Sequence, residues 1–192
     1  MMEDAEKTSI FVEKMADFFR YNVKKGEEDA TLEEELEAVD NYIYILNVRF
    51  AGDIHFSKKV ECDVENVRVP SMILQPVVEN AVNHGIRNID WEGHIDLSVE
   101  KWNDHIEISV RDNGLGMTGE QIQRVLSKKV HSSSGVGDST GIGMNNVISR
   151  LELYYERDGL MEIYSEGEGM GTEVVINIPL ERSEKNVQNP DC

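Results

Sequence analysis

Three short stretches carry residue types that could act together on one ligand. Glu79-Asn80-Ala81-Val82-Asn83-His84-Gly85 puts a carboxylate, two side-chain amides and an imidazole on a single helical pattern. Asp112-Asn113-Gly114-Leu115-Gly116 follows a strand pattern with a carboxylate and two glycines, and Gly141-Ile142-Gly143-Met144-Asn145-Asn146 places Gly-x-Gly ahead of a helical pattern. An ionised carboxylate only accepts hydrogen bonds, so Asp112 suits an exocyclic amine such as that of adenine. Gly-x-Gly at a helix start offers bare N–H groups and a positive dipole end to phosphates. Glu79 supplies a candidate base, and Asn80 a neutral oxygen ligand for a hard cation such as Mg²⁺. Singly each stretch is a weak signal, because Asp-Asn-Gly is often only a turn. The ordered set of three outlines a nucleotide pocket.

Other chemistries fit less well. Gly141-Ile142-Gly143 follows a serine- and glycine-rich loop rather than a strand, and Asn146 stands where a dinucleotide fingerprint has its third glycine. No Gly-x-x-x-x-Gly-Lys-Ser/Thr occurs, and the glycine loop, lysine strand and catalytic loop of protein kinases are absent as well. The five histidines, His55, His84, His94, His105 and His131, have no metal-ligand spacing, and only His84 belongs to a motif. Cys62 and Cys192 are far apart and read as thiols of a reduced chain. A formal charge of −18 repels phosphate backbones, so no nucleic-acid partner is expected. The same field repels ATP at long range, which leaves attraction to local helix dipoles and a metal.

The elements that must position these residues follow from periodicity. Phe11, Met15, Phe18 and Asn22 repeat with 4-3-4 spacing, and Gly26 interrupts. Thr31-Leu32-Glu33-Glu34 is a capping box opening a second helix whose Leu32, Leu36, Val39, Ile43, Leu46 and Phe50 form one apolar seam. Such a hairpin needs a partner for its seam, either another copy or the following domain. From Ala51 the period becomes two, and Ile54 to Val64 alternate as a half-buried strand. A helix is expected through His84, with Pro76 in its first turn or at a kink and Gly85 as its stop. Strands centred on Leu97, Ile108, Ile163 and Ile176 follow. A short helix from Glu120 to Leu126 and a helix from Met144 to Tyr155 flank a serine- and glycine-rich loop, so 117–140 reads as a lid. Residues 183–192 read as a polar tail.

Taken in order, these residues resemble the ATP-binding domain of sensor histidine kinases of the LytS/YesM branch, within the larger group that includes Hsp90-type chaperones, type II topoisomerases and MutL. Leu74-Gln75-Pro76-Val77-Val78-Glu79-Asn80-Ala81-Val82-Asn83-His84-Gly85 is similar to the N box, Asp112 to Gly116 to the G1 box, Gly141 to Asn146 to the G2 box, and Gly171-Thr172 to the closing Gly-Thr. Likeness extends upstream through Phe19-Arg20-Tyr21 and Thr31 to Leu36, to Arg49-Phe50. It implies an α+β chain, a two-layer α/β sandwich of the Bergerat type in which a mixed sheet carries helices on one face. A partial dimerisation and phosphotransfer hairpin at 1–50 would precede an ATP-binding domain at 51–182. By this resemblance Asp112 takes the adenine amine, aided by Thr172 and a water, Asn80 holds Mg²⁺ across the phosphates, and Glu79 is the polar or basic group beside them. Asn83, His84, Gly114, Gly116, Gly141, Ile142, Gly143 and Met144 complete the ATP site.

The resemblance further implies transfer of the γ-phosphoryl group of Mg·ATP to a histidine on a helix of the same protein and then to a response regulator. The parent is expected to be a homodimer anchored in a membrane, with this region cytoplasmic. The sequence departs from the pattern in three places. No Pro-His-Phe-type acceptor precedes Phe11, so autophosphorylation within this chain is expected to fail, and Ile54-His55-Phe56 lies in a strand pattern. Asn83 stands where the family often has lysine, and Pro76 where many relatives have glutamate. Two other readings remain open: a nucleotide-gated interaction module without phosphotransfer, and an ATPase of the Hsp90 or MutL kind.

Overall fold

Two helices open the chain, as the apolar spacing predicts. In the computed structural model, which describes residues 2–24, 29–50, 54–87, 89–127 and 139–180, they are α1 (Met2–Lys24) and α2 (Leu32–Arg49). Thr31 caps α2 through both arms of a capping box: its Oγ1 accepts from the Glu34 amide at 3.1 Å, and Glu34 Oε2 accepts from the Thr31 amide at 2.9 Å. The short strand β1 (Asp29–Thr31), not foreseen in the sequence, leads into that cap. It pairs antiparallel with β3 (Arg68–Pro70), and an Arg68–Asp29 ion pair of 2.5 Å ties the two.

Five strands form the main sheet. They are β2 (Ile54–Val60), β4 (Gly93–Lys101), β5 (His105–Asp112), β6 (Met161–Tyr164) and β7 (Thr172–Pro179), in the spatial order β2-β4-β5-β7-β6. Only β2 and β4 run parallel, so the sheet is mixed. Strand β2 stops at Val60, short of the expected Val64; Cys62 and Val64 still pack against the core from an irregular segment. Period-two alternation turns Ile95, Leu97 and Val99 inward on β4, Ile106, Ile108 and Val110 on β5, and Val174, Ile176 and Ile178 on β7.

Helices cover that inner face. They are α3 (Leu74–Asn80) with a π-helical continuation (Ala81–Ile86), α4 (Gly119–Leu126) and α5 (Ser139–Tyr155). Leu32, Leu36, Val39 and Ile43 of α2 are buried in the same cluster as Val77, Val147 and the sheet residues. The seam of α2 is therefore partnered by the segment that follows it. On α1, by contrast, Val12, Phe19 and Val23 are exposed.

Two expectations shift, and a third is decided between its alternatives. Gly85 does not stop its helix, which runs on in wider turns to Ile86. Helix α5 begins at Ser139, five residues ahead of Met144, so Gly141 and Gly143 lie inside it. Pro76 sits in the first turn of α3, where its missing N–H costs no helical bond. Of the expected lid, α4 is seen with its own capping box from Thr118 and Gln121, while 128–138 lie outside the described residues, as does the 183–192 tail.

Because α2 shares the sheet's core, Leu36→Ala should destabilise the whole unit by about 3 kcal/mol. Urea unfolding followed by circular dichroism should still show one transition at a lower midpoint. A separate early transition for the hairpin would contradict the shared core.

Candidate functional site

Asp112 is the last residue of β5, with Thr172 of β7 and Ile95 of β4 as its register partners. The sheet's pleat places it on the inner face, and it is only 5% exposed. Its Oδ1 accepts the Gly114 amide at 2.8 Å. A methyl group at Gly85 would meet that same Oδ1 at 2.6 Å, and one at Gly114 would meet the Gly85 carbonyl carbon at 2.1 Å. Backbone of the helix and backbone of the β5 loop therefore touch beside the carboxylate, and the Leu115 amide donates to the Gly85 carbonyl at 3.0 Å. This contact accounts for Gly85, which sequence reading took for a helix stop. It also gives a reason for the wider π turn, in which the Arg87 amide reaches back to the Val82 carbonyl at 3.0 Å.

Burial dominates the electrostatics of Asp112. Desolvation pushes its carboxyl up from 3.8 to about 6, against the opposing pull of the Gly114 and Thr172 amides. The group is then largely ionised at neutral pH, a buried acceptor ready for an amine.

The loop beyond Asp112 is stitched in place by backbone. Gly116 has φ +71°, in the left-handed region, and a side chain there would also strike the Gly167 carbonyl at 2.1 Å. The Gly169 amide donates to the Leu115 carbonyl at 2.6 Å and the Gly171 amide to the Gly114 carbonyl at 3.1 Å. Ser165 Oγ accepts from the Met117 amide at 3.0 Å and donates to the Gly171 carbonyl at 2.6 Å. Asn113 closes the outer side: its Oδ1 accepts the His94 amide at 2.8 Å, and its carbonyl accepts Trp91 Nε1 at 2.9 Å. Ser165, Gly167, Gly169 and Trp91 were not singled out from sequence. The run Gly167-Glu168-Gly169-Met170-Gly171 was the available signal, since alternate glycines before a strand mark backbone held close to something else.

The N-box residues divide by burial. Asn80 is 9% exposed and its Oδ1 has no hydrogen-bond partner, a state that fits a cation or a donor brought by a ligand. Glu79 is half-buried, and its Oε1 accepts Gln75 Nε2 at 2.8 Å. Glu79 also lies near Tyr42 of α2, whose hydroxyl is pushed up to about 12 by burial and then by this carboxylate. Asn83 and His84 are exposed. Helix α5 packs beside α3, and a methyl group at Gly143 would lie 3.9 Å from Pro76 Cβ. Met144 is buried and Ile142 exposed on that helix. The structure thus brings Asp112 together with Gly85, Gly114 and Thr172, and sets the Gly143 end of α5 against the first turn of α3. Among the described residues no cluster of His, Cys, Asp and Glu could hold a metal ion.

A mixed sheet under helices, with a buried carboxylate framed by glycine backbone at one strand end, is the architecture of a histidine kinase-like ATPase domain. The chain belongs to the histidine kinase-, DNA gyrase B-, and HSP90-like ATPase family, whose model matches residues 68–182, and a histidine kinase model matches residues 1–54. Among curated relatives, the sensor protein LytS of Staphylococcus saprophyticus is 28% identical over 191 residues, 98% of this chain and 31% of that protein. The sensor histidine kinase YpdA of Escherichia coli is 30% identical over 86% of this chain and 27% of its own length. This chain thus spans under a third of either relative. Among solved structures, the mycobacterial sensor histidine kinase MprB superposes with a TM-score of 0.54 at 19% identity, covering 79% of this chain and 96% of that one. The catalytic domain of histidine kinase ThkA gives 0.52 at 20% identity, covering 79% and 94%. Both show the same fold.

The raised carboxyl of Asp112 makes a signed prediction. Its ionised form is the costly one in the folded chain, so the cost is absent below 3.8 and complete above about 6. That gap corresponds to about 3 kcal/mol, lost as pH rises through the window. Asp112→Asn should flatten the stability profile between about pH 4 and about pH 6 and be the more stable protein at neutral pH. Urea denaturation across that range checks it, and parallel profiles for the two proteins would refute it.

Proposed function

We propose that this chain binds Mg·ATP and serves as the catalytic region of a sensor histidine kinase, delivering the γ-phosphoryl group to a histidine on a helical segment. The observation that carries the reading is the buried Asp112 carboxylate with Gly85 and Gly114 pressed against it. An adenine ring presents one exocyclic amine, and a buried acceptor of fixed geometry selects it from groups that only accept. Thr172, buried beside Asp112 on β7, adds a hydroxyl to the same wall. Gly116 holds the loop clear of the ring's path.

On the phosphate side, Asn80 is the proposed metal ligand, supported by its unpartnered Oδ1. Bound Mg²⁺ would neutralise charge that develops on the transferring phosphoryl oxygens. Glu79 is the proposed polar or basic group next to it, held by Gln75. Gly141, in the first turn of α5 where amides have no helical partner, is the proposed backbone donor to the phosphates, with Ile142, Gly143 and Met144 continuing the helix beside them; Asn83 and His84, both exposed, border the same side. The work of this chain's residues is binding, orientation and charge placement, with no covalent step on the protein.

No described histidine lies on α1 or α2: His55 and His94 stack on neighbouring strands at 5.1 Å, His84 follows Asn83, and His105 opens β5. The acceptor is therefore proposed to come from elsewhere in the parent, a homodimeric sensor anchored in a membrane with this region in the cytoplasm. A response regulator is the proposed final acceptor, consistent with the solved complex of histidine kinase ThkA with the response regulator protein TrrA, which is 17% identical to this chain with a TM-score of 0.51. Among the described residues no helix is long and apolar enough to cross a membrane.

Calorimetric titration should give micromolar binding of Mg·ATP and Mg·ADP, worth about 7–8 kcal/mol, and none for Asp112→Asn. Binding should weaken as pH falls through about 6, where Asp112 takes up its proton. With labelled ATP the chain alone should incorporate no acid-labile phosphate. Self-labelling would contradict the missing acceptor, and sustained phosphate release would favour an Hsp90- or MutL-like ATPase.

A further inference from the structure

Helix α3 carries Glu79 and Asn80 yet lacks a cap of its own. Its N-cap residue Ile73 makes no side-chain capping bond, and the helix is seven residues long with proline in its first turn. The free amides at its start are taken instead by Glu35, a residue of α2 that lies 38 positions upstream of Ile73. Glu35 Oε2 accepts the Ile73 and Leu74 amides, both at 2.9 Å, and Oε1 accepts the Met72 amide at 2.5 Å. The carboxylate is 1% exposed, so these bonds take the place of solvent, and a negative group at a helix N-terminus is also favoured by the helix dipole.

Two further groups meet this junction. The Tyr21 hydroxyl of α1 donates to Glu35 Oε1. Burial and the Glu35 charge hold the Tyr21 phenol well above its ordinary value, so it stays a donor throughout the physiological range. From the other side, Arg150 of α5 donates to the Ser71 carbonyl at 2.8 Å. Between them Met72 adopts φ +60°, a left-handed conformation that a side-chain-bearing residue holds only when its surroundings impose it. Phe18 and Tyr42, stacked at 6.0 Å, keep α1 beside α2 at this level.

The geometry points to Glu35 as a positioning residue for Asn80, and to Tyr21 as the contact through which the placement of α1 reaches the ATP site. A short helix with a remote cap starts where that cap puts it, so the carboxylate sets the first turn of α3 and, two turns on, Asn80. Because Gly143 of α5 faces Pro76 in the same turn, the glycine end of α5 follows. Withdrawing α1 removes one of four donors from a buried carboxylate, which loosens its hold on the remaining three amides. Asp112 itself is fixed by the sheet, in register with β4 and β7, and meets this helix only at its far end through Gly85. The inference rests on the Mg·ATP reading for its functional consequence, while the clamp itself can be read in the nucleotide-free protein.

Two near-isosteric variants test it. Glu35→Gln keeps the size but turns one acceptor into a donor facing backbone amides, and Tyr21→Phe keeps the ring and removes only the hydroxyl. Hydrogen–deuterium exchange of the nucleotide-free protein should rise about tenfold or more over 74–82 in Glu35→Gln and by a smaller factor in Tyr21→Phe, with β5 (106–112) unchanged. The gain in ATP affinity on adding Mg²⁺ should shrink in the same order, while ATP affinity in EDTA falls by a smaller factor. Exchange unchanged over 74–82, exchange raised equally over β5, or a Mg²⁺ gain that survives in both variants would each overturn the inference. A Tyr21→Phe protein indistinguishable from wild type would overturn the link to α1. If Glu35→Gln fails to fold, Tyr21→Phe decides by the same readouts. A wild-type protein that binds no nucleotide would sink the ATP reading, and the exchange data would still decide the clamp.

Discussion

The structure depends on one backbone contact, Gly85 of the helix against Gly114 of the loop after β5. Gly114 must lack a side chain, because a methyl group there would stand 2.1 Å from the Gly85 carbonyl carbon, and one at Gly85 would press on Asp112 Oδ1 at 2.6 Å. That approach closes the helix layer over the end of the sheet and seals the Asp112 carboxylate inside. It also explains the departure from α-helical geometry after Asn80, since wider turns carry Gly85 down to the loop.

Sealing a carboxylate in this way is unfavourable in isolation, and the upward shift of Asp112 expresses that cost. The surrounding fold sustains it through the Gly114 amide, through backbone bonds to the Gly167–Gly171 segment, and through a continuous apolar core from α2 to β6. A buried, partly destabilised acceptor that a ligand satisfies is a common arrangement at binding sites. It suits this chain particularly. With a formal charge of −18, long-range attraction cannot gather a nucleotide, so affinity must come from short-range, oriented groups.

A second buried carboxylate, Glu35, resolves the same problem in the opposite way. Three backbone amides and a tyrosine hydroxyl satisfy it within the chain. One carboxylate is held by few partners and carries a raised pKa; the other organises the loop from Ser71 to Ile73, where α1, α2, α3 and α5 meet. The hairpin and the nucleotide layer consequently share one core and one polar junction, rather than merely lying side by side.

Much of this was legible in the sequence, for identifiable reasons. Period-two and heptad-like spacing, the Thr31–Glu34 capping box and the Asp112-Asn113-Gly114 turn are local signals, set by sterics and amide satisfaction within a few residues, and the five main strands and the helices follow from them. The types and spacing of Asn80, Asp112 and Thr172 were legible as a pattern, and the fold buries all three. The rest was not, because it rests on pairs distant in the chain. Gly85 is a helix stop by propensity, and only the approach of Gly114 makes it part of a pocket wall. Asp29–Thr31 is a strand only because Arg68–Pro70 lies beside it. Glu35 looks like any first-turn acid of an amphipathic helix until folding brings it to an uncapped helix 38 residues away. Local sequence thus determined which elements form and which side chains could do chemistry. Tertiary structure alone decided which backbone groups were left without water, and an amide or carboxylate cut off from solvent must take whatever partner the fold brings to it.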